Sequence, residues 1–373
     1  SSLFSTSPLI IFLSSFANSM HIVYTFYEIL ISLQTYALLW YNRYMKHIQF
    51  LGLGDIVTDV FITLKDATVN CDVDNHNCKL CVDFGAKIPY EDATEVQAVG
   101  NSANAAVSAA RLGLSSALVV GIGKDFHGDN CITALKKENV DTSYISVSSE
   151  YPTNYHYVLK YGPERTILVK HAPFIYTLPE DATVDMLYFS SIGSHAIAFH
   201  DEVVKWLAKH PETKMAFQPG TFQIIAGKER LAEVYKNTYL FFCNVEEAQT
   251  ILGTQEKDIK KLHDMIRTLG PKYIVITDGP NGLTGSDGEK YYSLPMFPDE
   301  KPPFDRTGAG DATSSTIAAM MANGVTFTES LRYGPINSMS VVMYMGAQAG
   351  LLSKNKLDEY LQKAPEDYKI KEI

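Results

Sequence analysis

Asp305-Arg306-Thr307-Gly308-Ala309-Gly310-Asp311 is the stretch of this 373-residue chain whose residue types best suit chemistry. It runs into residues 312–321, rich in Ala, Ser and Thr, which read as a helix. Gly-Ala-Gly at a helix start leaves backbone N–H groups uncovered at the positive end of the dipole, so the turn can cradle an anion. Asp311 then falls in the first helical turn beside that anion. A carboxylate there can take a proton from an attacking hydroxyl while the amides hold a transferring phosphoryl group. The plainer alternative is a tight turn with Asp311 as a helix cap.

The elements that must hold this turn alternate. Strand-like apolar runs occupy residues 48–52, 117–121, 186–190, 215–217, 239–243 and 273–277. Helical stretches occupy residues 102–112, 129–138, 201–210, 246–252 and 257–269, with a small-residue helix after Gly308 and another around 331–346. Alternation at these lengths predicts a mainly parallel sheet covered by helices on both faces. Two stretches break the rhythm. Residues 61–99 mix short alternating segments, turns and cysteines; residues 155–159 and 166–170 read as strands joined by Tyr161-Gly162-Pro163-Glu164. The second pair is expected to form a small antiparallel sheet over the mouth of the main one, a lid that excludes water.

Hydrophobic residues make up 46% and charged residues 20%, which suits a globular protein with a sizeable core. A formal net charge of -10 argues against nucleic acid or an anionic membrane as partner. Five cysteines in this length do not make a disulfide framework, and a cytoplasmic location is the simpler expectation. Residues 8–40 are apolar and aromatic with one charge, Glu28, but polar residues interrupt the run. Three readings stand for residues 1–44: sequence upstream of a start at Met45, a membrane anchor, or an extra helix. Residues 45–373 are expected to form the functional domain, with lid segments at about 60–99 and 153–170.

The Asp305–Asp311 stretch resembles the second signature of the PfkB family of carbohydrate and nucleoside kinases, the ribokinase-like enzymes. Gly100-Asn101-Ser102-Ala103-Asn104-Ala105-Ala106 resembles the first signature, and Gly113 and Gly123 fall at its spacing; Val99 stands where the family usually has glycine. Gly121-Ile122-Gly123-Lys124-Asp125-Phe126-His127-Gly128, Asn244-Val245-Glu246-Glu247 and Thr277-Asp278-Gly279-Pro280-Asn281-Gly282 continue the likeness in order, over about residues 48–355. The resemblance implies a ribokinase-like three-layer α/β/α sandwich with a mainly parallel sheet and a small β-sheet lid. It implies ATP as phosphoryl donor and Mg²⁺ as cofactor.

The roles the resemblance implies each have a physical reason. Asp311 is the base, with Gly308, Ala309 and Gly310 as the anion turn. Asn244 and Glu247, three apart at a strand end, suit a hydrated Mg²⁺ touching ATP phosphates; the alternative is an N-cap with a solvated Glu. Thr277, Gly279 and Gly282 lie where a strand ends, the ligand edge of an open α/β sheet, and Asn337 resembles the position near the adenine. For the acceptor the resemblance points to Asp59, Gly100 and Asn104, since a carboxylate and an amide can fix vicinal hydroxyls. Asp59 can equally be a turn residue, and Asp55 is its nearby confounder. Arg165 on the lid can meet phosphate or substrate, or lie on the surface. Asp305 and Thr307 resemble positions that hold a monovalent cation such as K⁺.

Cys71, Cys78 and Cys81 with His76 are not part of the family pattern. Zn²⁺, a redox pair and plain lid cysteines are the alternatives. The expected function is ATP-dependent phosphorylation of a small sugar. A nucleoside kinase is the alternative, and a non-catalytic sugar or nucleotide sensor on the same fold is the rival from another class. The lid can also supply a homodimer interface.

Overall fold

The computed structural model describes residues 45–72, 78–162 and 164–373. The chain divides into two units, residues 1–46 and 47–373, and the fold below is that of the second. The three readings of residues 1–44 lie outside the described residues, as does His76. Among the described residues no helix is long and apolar enough to cross a membrane.

In chain order the strands are β1 (Lys46–Leu53), β2 (Val57–Leu64), β3 (Thr68–Asn70), β4 (Lys79–Cys81), β5 (Tyr90–Val99), β6 (Ser116–Val119), β7 (Gly121–Gly123), β8 (Val140–Asp141), β9 (Ser146–Ser148), β10 (Tyr155–Tyr161), β11 (Glu164–Leu168), β12 (Ala182–Phe189), β13 (Lys214–Phe217), β14 (Leu240–Asn244), β15 (Tyr273–Thr277), β16 (Leu283–Ser286), β17 (Tyr291–Leu294) and β18 (Lys371–Glu372). Ten of them form one sheet in the order β18-β17-β16-β15-β14-β13-β12-β1-β6-β8. Pairing is parallel from β12 through β15 and among β1, β6 and β8, and antiparallel from β15 through β18. The central strands read as apolar runs because helices cover both faces; Phe50, Leu51, Leu187, Phe189, Phe241 and Ile274 are fully buried.

Order reverses beside β1: β6 and β8 extend one way, β12 to β18 the other. Ligands bind in such sheets at the carboxyl ends of the strands near this reversal. β1 leads there into Gly54 and Asp55, β13 into Gln218, β14 ends at Asn244 and β15 at Thr277.

The lid sheet takes strands from two separate stretches of chain. β10 and β11 pair antiparallel, but β10 also pairs in parallel with β2, and β2 antiparallel with β5, giving the order β11-β10-β2-β5. The helix expected around residues 331–346 is two short pieces, Phe327–Leu331 and Gly334–Val341. Pro335 has no N–H to give to an earlier turn, so it opens the second piece instead of continuing the first.

β3 and β4 form a separate hairpin. Cys71 and Cys78 are joined there by a disulfide, and Cys81 is a free thiol whose sulfur accepts from Asn70 Nδ2 at 3.4 Å. This corrects the zinc alternative, since two disulfide sulfurs have no thiolate to give a metal. Among the described residues no group of three or more His, Cys, Asp or Glu gathers for a metal ion.

Candidate active site

The helix Asn101–Arg111 and the helix Ala309–Ala322 bring the two signatures together. Both bury most of their length, and the small side chains Ala105, Ala109, Ala312 and Ser315 are fully covered. Small residues let two helices approach closely, which places their first turns side by side. Gly100 precedes the first helix at φ 105°, and a β-carbon on it would stand 2.8 Å from the Asp55 carbonyl. Gly308 precedes the second in the left-handed region, at φ 82°.

Asp311 therefore meets amides from two other elements. Asn101 Nδ2 donates to Asp311 Oδ1 at 2.9 Å, and Asn104 Nδ2 to Oδ2 at 2.9 Å. Gln218 Nε2, just past β13, donates to Oδ1 at 3.2 Å. Burial pushes the Asp311 carboxyl above the ordinary carboxylate range, opposed by the amides of Asn104, Gln218 and Asn101. Asn104 is held from behind by Gln348, whose Nε2 donates to Asn104 Oδ1 (3.0 Å) and to the Ala98 carbonyl (2.7 Å).

On the other side of the turn, Ala309 and Gly310 line a cavity of about 480 Å³ together with Thr277, Gly279, Gly282 and Arg306. The anion turn and the three strand-end residues named from the sequence thus face one space. Asn337 does not join them. It is fully buried, its Nδ2 donates to Thr316 Oγ1 (2.8 Å), and its Oδ1 accepts from Leu352 N–H (2.8 Å). Its neighbours Pro335 and Ser338 line the cavity instead.

Asn244 and Glu247 form a reciprocal cap: Asn244 N–H donates to Glu247 Oε2 (2.9 Å) and Glu247 N–H to Asn244 Oδ1 (2.7 Å). The capping alternative is therefore present in full. It does not exhaust Glu247. Burial, and then the nearby charge of Asp311, raises its carboxyl above the ordinary range, a cost that a cation beside the pair would relieve. Glu247 with the amide oxygen of Asn244 fits a hydrated Mg²⁺, which needs only one or two protein ligands. Such an ion would neutralise charge on phosphate oxygens.

Asp305 and Thr307 fit a cation less well. Asp305 Oδ1 accepts from Thr307 N–H (2.9 Å) and Thr307 Oγ1 (2.7 Å), and Oδ2 from Gly346 N–H (3.1 Å). Three donors already engage this carboxylate and fold the turn that precedes Gly308.

Asp59 lies on β2 in the lid. Burial pushes its carboxyl up to about 6, the charge of Arg165 opposes this, and that of Asp305 adds to it. Asp59 Oδ1 is buried without a hydrogen bond, and His156 Nδ1 stands 3.6 Å away. An unmet buried acceptor of this kind suits a ligand hydroxyl. Arg165 itself is exposed on β11 and acts on Asp59 through its charge. Asp55, the confounder, is committed to the protein: it accepts from the Tyr176 hydroxyl, from Gly193 N–H (2.8 Å), and pairs with His171 Nδ1 (2.7 Å).

In the sequence Asn101 belongs to the first signature without a role of its own, and Gln218 opens the Gln218-Pro219-Gly220 segment, a pocket-shaping candidate, as are His171 and His195, with no role assigned. Asn101 and Asn104 are three apart on one helical face, a pattern that announces two amides aimed at one target. Gln218 follows a buried strand at its carboxyl end, the expected ligand edge.

The pfkB family carbohydrate kinase profile matches residues 65–354. Asp55 and Asp59 precede that span. The chain is 30% identical over 271 residues to the ribokinase of Bacillus subtilis, covering 70% of this chain and 87% of that protein. It is 25% identical over 279 residues to the ATP-dependent 6-phosphofructokinase of Thermoanaerobacterium thermosaccharolyticum, covering 66% and 80%. Among solved structures, Arabidopsis thaliana ribokinase complexed with ribose and ATP superposes with a TM-score of 0.71 at 18% identity, over 85% of this chain and 99% of that one. The Methanocaldococcus jannaschii nucleoside kinase gives 0.68 at 19% identity, over 86% and 99%. These last two speak for the ribokinase-like fold alone. The profile match over most of the chain and the 30% identity to a ribokinase establish the rest: this chain belongs to the pfkB family of carbohydrate kinases.

Proposed function

We propose that the chain transfers the γ-phosphoryl group of ATP to a hydroxyl of a small sugar, with Asp311 accepting the hydroxyl proton. The observation that carries this reading is the position of Asp311. It stands between an amide cradle built by Asn101, Asn104 and Gln218 and a turn whose Ala309 and Gly310 line the 480 Å³ cavity. A hydroxyl held at the cradle side would meet the base while the phosphoryl group lies against the uncovered N–H groups of the turn. Glu247 and Asn244 would hold Mg²⁺ beside the phosphates. Asp59, with its unpaired Oδ1, would take an acceptor hydroxyl under the lid, and Thr277, Gly279 and Gly282 would face the nucleotide. Residues 45–373 would suffice for the reaction. A pure sensor on this fold has no need of a desolvated carboxylate beside an anion turn.

A sugar acceptor is favoured by the identity to a ribokinase. A nucleoside acceptor is the second reading, favoured by rings that a base could stack on. His171 lies 5.3 Å from His156 and 5.2 Å from Phe222, next to Asp55 and Asp59. ADP release measured over D-ribose, D-fructose, 2-keto-3-deoxygluconate, adenosine, inosine, guanosine and cytidine separates the two. Turnover on a sugar with none on the nucleosides is the expected result. Turnover on a nucleoside alone reverses the assignment, and turnover on none of them counts against the kinase reading.

A further inference from the structure

We infer that Tyr188 is a positioning residue for Asp311, because its hydroxyl decides which end of the Gln218 amide faces the carboxylate. The inference rests on the reading of Asp311 as the base.

A glutamine amide has nearly the same shape either way round. If Gln218 turned its oxygen toward Asp311, an acceptor would face an acceptor. The contacts at its far end prevent this. Tyr188 Oη lies 2.5 Å from Gln218 Oε1 and 2.7 Å from Ser314 Oγ, and Ser314 Oγ lies 3.2 Å from the same Oε1. Tyr188 is fully buried, so its single proton must be given within the protein. Ser314 Oγ also lies 2.8 Å from the Gly310 carbonyl; whether its proton goes there or to Tyr188 Oη, the Tyr188 proton goes to Gln218 Oε1 and the Gln218 N–H to Asp311. Each donor in this chain polarises the next, so the last N–H is a better donor to the carboxylate.

The chain keeps its direction with pH. Burial, and then the charge of Asp311, pushes the Tyr188 hydroxyl far above its ordinary value, and it retains its proton. The groups facing Asp311 are Asn101 and Asn104 from their helix, Gln218 past β13, Tyr188 from β12, Ser314 from its own helix, and Glu247 from the helix Val245–Leu252. Among these, Tyr188 and Glu247 are the ones that ionise. Nothing in the sequence marks Tyr188, which stands inside the apolar run of β12 and reads as core.

The test is the titration of the Asp311 carboxyl in the ligand-free protein, followed by ¹³C NMR of carboxyl-labelled aspartate and assigned by the resonance that Asp311→Asn removes. Tyr188→Phe keeps the ring and deletes only the hydroxyl. It is expected to move the Asp311 midpoint up by about half to one pH unit, as the loss of one donor to a carboxylate does. Gln218→Leu should move it in the same direction by a similar amount. The two together should move it no further, because both break one chain. If Tyr188→Phe does not fold, 3-fluorotyrosine at position 188 makes the same hydroxyl a stronger donor and should shift the midpoint downward; a midpoint it leaves unmoved overturns the inference. A midpoint unmoved by the folded hydroxyl-deletion variant, or shifts of Tyr188→Phe and Gln218→Leu that simply add, overturns the inference. Because no substrate is present, these outcomes are independent of the kinase reaction. Turnover retained by Asp311→Asn would instead remove the base, and with it the role of Tyr188.

Discussion

Gly308 and Ala347 approach so closely that a β-carbon on the glycine would stand 2.3 Å from the alanine Cβ. The contact, together with the left-handed backbone at Gly308, fixes the turn before Asp311. Gly308→Ala should therefore destabilise the fold by about 2–4 kcal/mol, combining overpacking with a strained φ. Chemical denaturation measures it. Gly310 differs: beyond its own helical turn, no atom lies within 4 Å of the place its β-carbon would take. Gly310→Ala should leave stability within about 0.5 kcal/mol of the parent yet weaken ATP use, because the added methyl stands at the anion turn. Equal stability losses at the two glycines would contradict this division.

Asp311→Asn keeps the shape and can still cap the helix, but cannot accept a proton. With the acceptor found in the panel above, kcat should fall by on the order of 10²–10⁴ with the KM for ATP little changed. A folded variant keeping more than about a tenth of the parent turnover would show that Asp311 is only a cap.

Asp59 links stability to pH in a direction opposite to the usual carboxylate. Its carboxyl is raised to about 6 in the folded protein, whereas in an unfolded chain it sits near 3.9. Between these values the folded state binds the proton more tightly, so stability contributed by Asp59 is highest at low pH and is lost as pH rises toward 6. The whole effect is on the order of 2–3 kcal/mol. Asp59→Asn should then stabilise the protein at pH 7, flatten this part of its stability profile, and raise the acceptor KM by about ten- to a hundredfold. Denaturation at several pH values and steady-state kinetics give both halves. A less stable variant, or equal rises in the acceptor and ATP KM, would remove Asp59 from this role.

Glu247→Gln tests whether the cap is all that Glu247 does. Glutamine serves at the third position of a capping box as glutamate does, so the helix Val245–Leu252 should hold and thermal stability should change little. The lost charge should shift half-saturation by Mg²⁺ to higher concentration. An unchanged Mg²⁺ titration and turnover would assign Glu247 to the cap alone.

Much of the site was legible because its parts are local. The anion turn, Asp311 and Asn104 each lie within one helical turn of a glycine, and the strand-end positions of Asn244 and Thr277 follow from parallel strands. What was not legible depends on contacts between distant segments. Tyr188, Gln218 and Ser314 meet from β12, the end of β13 and the helix Ala309–Ala322, and a tyrosine in an apolar strand looks like any core residue. The lid's middle pairing, β2 with β10, joins strands nearly a hundred positions apart, which no turn signal reports. Asp55 and Asp59 are four apart with similar neighbours. Only the packing of Tyr176, His171 and Gly193 onto the first shows which of them is spoken for.

The lid has its root at that same aspartate. β1 ends at Leu53 and β2 begins at Val57, so the chain passes from the main sheet into the lid through Gly54, Asp55 and Ile56. Asp55 is stitched there to three partners beyond the lid strands, in the segment between β11 and β12 and the turn after β12. The lid is thus clamped at its base like a leaf spring, and any swing of it must be levered on Asp55. Traffic of acceptor and product would pass beneath the lid, and a swing about that clamp would then set the pace of turnover through a residue that takes no share in the proton transfer.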